Sequence, residues 1–297
     1  MHDNRAIASG VVIVPDKSKI IQRNGQPNEV GAAVFWNSGQ TRHAVLCKAW
    51  DDAGLPEALK PSLPSPEVAL RRGLRAMQEN RLMVRPLARR GKWAIVRETV
   101  DEASATPLEY ELEAQVRLND IKQLVIEPAT LDPEFRQEIE TMYQHQLGML
   151  AAEDVTQWLV NLTNYCGAAK LKKGGGLYFI PPHTLDMWRR MVDVIVESSD
   201  CVIEDLPMGR STNVAKAVLN GLTHEAQTAA DEMEAELLEG DLGARALRSR
   251  AERCEAELAR ITAFEPVVGD AVHRICDAIN TLKSRLSAAA LAAMADD

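Results

Sequence analysis

The chain has 297 residues, a formal net charge of −9, and hydrophobic, charged and aromatic fractions of 46%, 26% and 4%. These are globular values that exclude wholesale disorder. The length suits two domains, or one domain with an extended helical part, and the Ala- and Leu-rich second half favours helices packed on small side chains over a sheet sandwich. Cysteines 47, 166, 201, 254 and 276 are odd in number and form no C-x-x-C pair, which argues against a disulfide framework or structural zinc and for a reducing cytoplasm. The apolar run Val11 to Val14 before Pro15 is too short for a signal peptide, and no stretch approaches the ~18 apolar residues of a membrane span, so no membrane contact is expected.

Through residue 128 the chain alternates short β-prone runs with turn signals, which predicts a mixed α/β domain. The runs are Gly10 to Val14, Ala32 to Trp36, His43 to Cys47, Leu82 to Leu87, Trp93 to Val96, Leu108 to Val116 and Ile121 to Ile126. Asn24-Gly25, Asn37-Ser38-Gly39 and Arg90-Gly91 punctuate them as turns. Leu55 to Pro64 holds three prolines and reads as a loop. Ser65 is placed as an N-cap, with Pro66 at the first position of a helix running to about Asn80.

That helix and the hairpin after it carry a charge segregation that the acidic net charge hides. Arg71, Arg72, Arg75, Arg81, Arg85, Arg89, Arg90, Lys92 and Arg97 stand against a single acid, Glu79. Such a stretch reads either as a solvated surface or as a cationic face for nucleic acid, a phosphorylated ligand or an acidic partner. The near absence of acids favours the second, because solvated faces intersperse both signs. Glu109, Glu111 and Glu113 alternate along the next strand, so their carboxylates are expected on one face. They read as the polar side of a half-buried strand or, alternatively, as ligands of a divalent ion in a metal-dependent nuclease.

From residue 129 to 210 helices are predicted from Asp132-Pro133 onward, from Glu153 to Tyr165 and from Thr184 to Ser198, with a short strand at Cys201 to Ile203. Between the second and third lies the most distinctive local motif, Lys170-Leu171-Lys172-Lys173-Gly174-Gly175-Gly176-Leu177-Tyr178-Phe179-Ile180-Pro181-Pro182. It can be the wing of a winged helix, with Lys170, Lys172 and Lys173 on phosphates. It can equally be a tight glycine turn that lets an apolar strand enter the core while the lysines stay solvated. It is not a phosphate-binding P-loop, because no Lys-Ser/Thr pair follows the glycines.

From 211 to 297 three helices keep heptad-like spacing. The stripes are Leu222, Ala226, Ala229, Met233 and Leu237; Leu247, Ala251, Cys254, Leu258 and Ile261; and Val268, Val272, Ile275, Ile279, Leu282, Leu286 and Ala289. Breaks at Gly240 to Gly243 and Glu265-Pro266 predict an antiparallel, coiled-coil-like three-helix bundle. The last stripe, from Val268 to Leu286, could serve instead as an assembly surface with another copy or a partner protein. The fold class expected is therefore α+β, a mixed α/β domain followed by a helical domain that ends in this bundle.

The strand-rich front half, the motif Gly174-Gly175-Gly176-Leu177-Tyr178-Phe179-Ile180-Pro181 and the trailing helices resemble a group of phage, plasmid and archaeal-virus proteins. In those proteins a glycine pair runs into a Tyr-Phe-aliphatic-Pro strand ahead of long helices. The resemblance implies a mobile-element or defence setting and carries no catalytic residue with it.

Catalytic constellations do not assemble in the sequence. The histidines 2, 43, 145, 183, 224 and 273 form no H-E-x-x-H or H-x-H pair, and no G-x-S-x-G elbow occurs. Cys166 near Lys170 has no assignable base. The expectation is a non-enzymatic protein with no cofactor or metal, making sequence-tolerant contacts with nucleic acid through the residues from Arg71 to Lys92, supplemented by Lys170, Lys172 and Lys173. The alternative is an interaction module whose basic face docks an acidic surface such as Asp231 to Glu239 of a neighbouring copy.

Overall fold

The computed structural model describes residues 28–78, 82–88, 91–99, 109–239 and 242–295. The expected strand at Gly10 to Val14, and Arg81, Arg89 and Arg90, lie outside them. The chain begins with β1 (Glu29–Asn37) and β2 (Thr41–Arg42), followed by α1 (His43–Asp52). The strand expected at His43 to Cys47 is thus a helix. A five-residue window hides the period that a longer one reveals, since Leu46 and Trp50 are spaced i, i+4 and both fully buried while Val45 faces solvent.

Next come α2 (Pro66–Ala76), β3 (Leu82–Pro86), β4 (Lys92–Thr99), β5 (Glu109–Leu118), β6 (Leu124–Glu127) and α3 (Pro133–Leu147). Both helices start as the sequence predicts: Ser65 Oγ accepts from Val68 N at 3.4 Å and Asp132 Oδ2 from Phe135 N at 2.9 Å, each with proline at the first position. The strand expected from Ile121 starts three residues later. The Asn119 side chain accepts from the Ile121 and Gln123 amides, and Lys122 takes φ +63°, so those residues form the turn.

The remainder is β7 (Met149–Leu150), α4 (Ala152–Tyr165), β8 (Ala169–Lys170), β9 (Tyr178–Ile180), α5 (Leu185–Ser198), β10 (Val202–Gly209), α6 (Thr212–Glu239), α7 (Ala244–Thr262), the single turn α8 (Glu265–Val268) and α9 (Ala271–Ala295). The fold is α+β with helices closing its C-terminal part.

Three cores organise these elements. The central sheet has the order β10-β1-β9-β8, with antiparallel pairing throughout. On one face Ala32, Val34, Tyr178, Ile180 and Ile203 pack with Leu46, Trp50, Trp158, Leu159, Trp188 and Ile195 from α1, α4 and α5. On the other, Val30, Ala169 and Phe179 pack against α6, α7 and α9. A sheet covered on both faces explains why β1 and β9 read as continuous apolar runs instead of alternating ones. Gly31, at φ +143°, makes this possible, because a Cβ there would meet Ile180 O and the Phe179 ring at 2.4 Å. Arg189 of α5 ties the sheet edge, donating to Glu29 at 2.5 Å and Asp205 at 3.1 Å.

The third core belongs to the meander β3-β4-β5-β6, one face of which is covered by α2 and α3 through Leu70, Leu74, Val84, Ile95, Val116, Ile139 and Tyr143. Residue 128, where the composition changes, lies between β6 and α3, both members of this core. β1 supplies a central strand to the sheet completed by residues 169–209.

The C-terminal helices run antiparallel in sequence order. Arg250 pairs with Glu236 and Arg260 with Glu225 between α7 and α6, and between α9 and α7 Lys283 pairs with Glu255 while Cys276 Sγ lies 3.8 Å from Thr262 Oγ1, so numbering rises on one helix as it falls on the next. Val272, Ile275, Ile279, Leu282 and Leu286 are buried within this bundle, and Val268 packs against it half-buried. The stripe considered for assembly is thus the interior of the chain's own bundle.

Candidate functional site

The basic stretch does not form one face. α2 turns Ala69, Leu70, Gly73 and Leu74 to the meander core, which leaves Arg71 and Arg75 exposed on its far side. Neither has an ion pair among the described residues. Arg72 faces α4 instead: its Nη1 donates to Asp154 Oδ2 at 2.5 Å, its Nη2 to Oδ1 at 2.9 Å, and Glu153 lies 3.5 Å away. This bidentate fork holds the Asp154 carboxyl below the usual carboxylate range, helped by the Ala151 amide, which donates to it at 3.1 Å. Arg72 is therefore a tether between two layers.

Arg85 and Lys92 occupy the opposite side. Val84 and Trp93 point into the meander core, so their neighbours Arg85 and Lys92 point out of the other face, which no described element covers. The register sets Lys92 beside Arg117, which itself reaches Glu127 at 3.4 Å, and sets Arg85 beside Ala94 and Gln115. At the other end of that face Met83, Val96 and Leu112 are in register, with Tyr110 opposite Glu98. Tyr110 and Leu112 are 56% and 52% exposed. Among the described residues the result is a sheet face without a covering layer, with cations at one end and apolar and aromatic side chains at the other, and Arg117, Tyr110 and Leu112 were not among the residues the sequence singled out. Their signal is the two-residue period once the register is known.

Arg97 pairs with Glu113. A bulge places Ile95 opposite Ala114 and Val96 opposite Leu112, leaving Glu113 without a cross-strand partner. It breaks the alternation that would align Glu111 with Glu113, and nothing is described of the Glu109 side chain. Among the described residues no group of three His, Cys, Asp or Glu side chains is placed to hold a metal ion.

Lys170, Lys172 and Lys173 lie elsewhere. Ala169 pairs with Phe179 and Lys170 with Tyr178, and Leu171 N donates to Leu177 O at 2.9 Å, so residues 172–176 close a hairpin at the edge of the central sheet. Its second strand is fixed between β1 and β8 and buried on both faces, as the glycine-turn reading expects and unlike the free wing of a winged helix. Lys172 and Lys173 are exposed and, among the described residues, free of ion pairs; the Lys170 amide donates to Glu225 Oε1 at 3.3 Å. Gly175 and Gly176 border a cleft of about 600 Å³ whose wall includes Trp36, stacked on Tyr178 at 5.3 Å between ring centroids and 7° between planes. Trp36 had no role in the sequence reading.

Neither Cys166 nor Cys47 is activated as a nucleophile. Cys166 is fully buried, and burial pushes its thiol up to about 12, which keeps it protonated at neutral pH. Cys47 lies 3.4 Å from His43 Nε2, but that nitrogen is 2.9 Å from Pro61 O, to which it donates, leaving Nδ1 3.8 Å from the sulfur as the acceptor. Burial raises the Cys47 thiol as well. The pair lacks the activation a cysteine nucleophile needs. No helix among the described residues is long and apolar enough to cross a membrane.

No curated protein and no solved structure matches this chain. Residues 30–297 match a family of unknown function, DUF6744, and the chain therefore belongs to that family.

Proposed function

We propose that the protein is a non-enzymatic, cytoplasmic nucleic-acid-contacting protein of a mobile-element or defence system, holding the phosphate backbone by sequence-tolerant charge contacts. The observation that carries this reading is selective pairing within the basic stretch. Arg72 and Arg97 are neutralised by Asp154 and Glu113, whereas Arg71, Arg75, Arg85 and Lys92 have no ion pair among the described residues in a chain of net charge −9. Unpaired cations on an acidic molecule raise the local concentration of polyanions. The open meander face adds Tyr110 as a surface on which an unpaired base can stack.

The test is fluorescence anisotropy with single- and double-stranded DNA and an RNA of equal length at two salt concentrations. Arg85→Glu/Lys92→Glu and Arg71→Glu/Arg75→Glu probe the two sides of the meander separately. Binding should weaken with salt, and each lost phosphate contact should flatten the log-log salt slope by roughly 0.7 to 0.9. No binding at low salt, or binding indifferent to both double variants, would falsify the proposal.

A second reading is homo-oligomerisation, favoured by Leu238 and Leu291, 84% and 69% exposed at the bundle end that also carries the acid-rich end of α6. Glu234 and Glu236 are already paired with Arg285 and Arg250, which reduces the acidic surface left for a neighbour. Light scattering coupled to gel filtration separates the readings: a salt-stable oligomer indifferent to nucleic acid supports the second and sinks the first.

A further inference from the structure

The geometry points to the cleft beside the triple-glycine loop as a binding site for a nucleoside phosphate, its base resting against Trp36 and its phosphate held by Lys172 and Lys173. Four features converge there. The first is a flat aromatic wall. Trp36 is half-buried and fixed in place by its near-parallel stack on Tyr178, itself buried in β9, so the indole needs no ordering when a ring lies along it.

The second is backbone access. Gly175 takes φ +101°, and a Cβ on Gly176 would have only the far edges of the Trp36 and Tyr178 rings near it, at 3.9 and 4.0 Å, so the loop presents bare peptide groups next to the aromatic wall. Successive glycines allow main-chain amides to approach a phosphate without side chains in the way. The third is charge: the Lys172 Nζ lies 3.8 Å from the position of a Gly175 Cβ, so its ammonium folds over the loop, and Lys173 follows it into solvent. Glu153 is the one acid among the residues lining the cleft, and Arg72 stands 3.5 Å from its carboxylate.

The fourth is hydrogen-bonding capacity. Asn37 and Gln157 both line the cleft. The Asn37 side-chain carboxamide has no partner among the described residues, and Gln157 uses only its NH₂ group, towards Asn161 at 3.3 Å, so its carbonyl oxygen is open to the edge of a base. A flat ring with a polar edge, and an anion, are what the base and the phosphate of a nucleoside phosphate present. The site shares its ligand chemistry with the proposed function but none of its residues with the meander face, so the two stand or fall separately. The nucleoside phosphate can be a free nucleotide or an unstacked residue of a strand.

Isothermal titration of the full chain with ATP, adenosine, inorganic tripolyphosphate and a five-residue deoxythymidine oligonucleotide tests the site. ATP should bind about tenfold or more tightly than adenosine or tripolyphosphate if a free nucleotide is the ligand. Oligonucleotide binding without ATP binding, reduced in the same variants, assigns the site to a strand. Lys172→Glu/Lys173→Glu should weaken the phosphate-bearing ligands and spare adenosine, and Trp36→Leu should weaken every ligand with a base. Should Trp36→Leu fail to fold, Gln157→Ala tests the base edge and the lysine pair tests the phosphate. A larger loss of ATP binding in Lys172→Glu/Lys173→Glu than in Arg85→Glu/Lys92→Glu separates this site from the meander face. The proposal is overturned if neither ATP nor oligonucleotide binds at millimolar concentration, or if binding is unaltered by the lysine, tryptophan and glutamine variants.

Discussion

Arg71 and Arg72 are adjacent in sequence and opposite in use. A helix rotates successive side chains by about 100°, so one guanidinium reaches solvent while the other forks onto Asp154, 82 positions along the chain. Truncating Arg72 leaves a partly buried carboxylate without its partner. Arg72→Ala should cost about 1–2 kcal/mol after allowance for solvent screening, read by urea unfolding. Because Asp154 is held below its ordinary value, the stabilisation is present above the unfolded carboxyl value of about 3.9 and is lost as pH falls through the folded value. The gap between wild type and Arg72→Ala should therefore narrow below about pH 4; a gap that widens in acid would contradict the pairing.

Cys166 has the opposite sign. Its folded value is raised to about 12, so its contribution is full below the ordinary thiol value of 9.0 and is lost as pH rises through about 12. Cys166→Ala should flatten the alkaline decline of stability in that window. In the folded protein a thiol reagent should label the half-buried Cys47 and Cys276 and spare the buried Cys166, Cys201 and Cys254, with all five labelled in denaturant. Rapid labelling of all five without denaturant would mean that the cores open readily.

Among the elements, those with strong local signals were legible from sequence. α2 and α3 carry a capping side chain followed by proline, and the C-terminal helices carry a sustained heptad-like period, signals that need no tertiary partner. β10 was less legible: three residues from Cys201 were expected and eight from Val202 are found. Glu204, Asp205 and Pro207 are poor strand formers. An edge position tolerates the proline, and Arg189 neutralises the buried Asp205, so tertiary context supplies what local propensity lacks. The bulge at Glu113 left no sequence mark either, and it undid the shared face expected for the glutamates.

Contact between elements also explains a glycine in mid-helix, ordinarily unfavourable there. A Cβ on Gly221 of α6 would stand 2.5 Å from Lys170 O of β8, a main-chain atom that cannot turn aside. Gly221→Ala should lose about 2–3 kcal/mol despite alanine's better helix propensity, measured by urea unfolding. A gain in stability would show that α6 does not sit this close to the sheet.

At the scale of the whole molecule, the change of composition near residue 211 marks a change of secondary structure more than a separable unit. The sheet has two apolar faces, and one of them, through Val30, Ala169 and Phe179, belongs to the same core as the bundle. Phe179 is fully buried and its ring lies 6.2 Å from that of Phe264, which follows α7. Removing 211–297 would expose this face, and Phe179 alone represents about 2–3 kcal/mol of lost burial. It would also leave Arg189, Glu29 and Asp205 holding a sheet covered on one side only. A chain ending at residue 210 should therefore be poorly soluble or lack the near-ultraviolet circular dichroism of its buried tryptophans, Trp50, Trp158 and Trp188, whereas the full chain shows it. If the shortened chain instead unfolds cooperatively with a native-like spectrum, the bundle is an appendage, and the shared core does not contribute the stability that its packing implies.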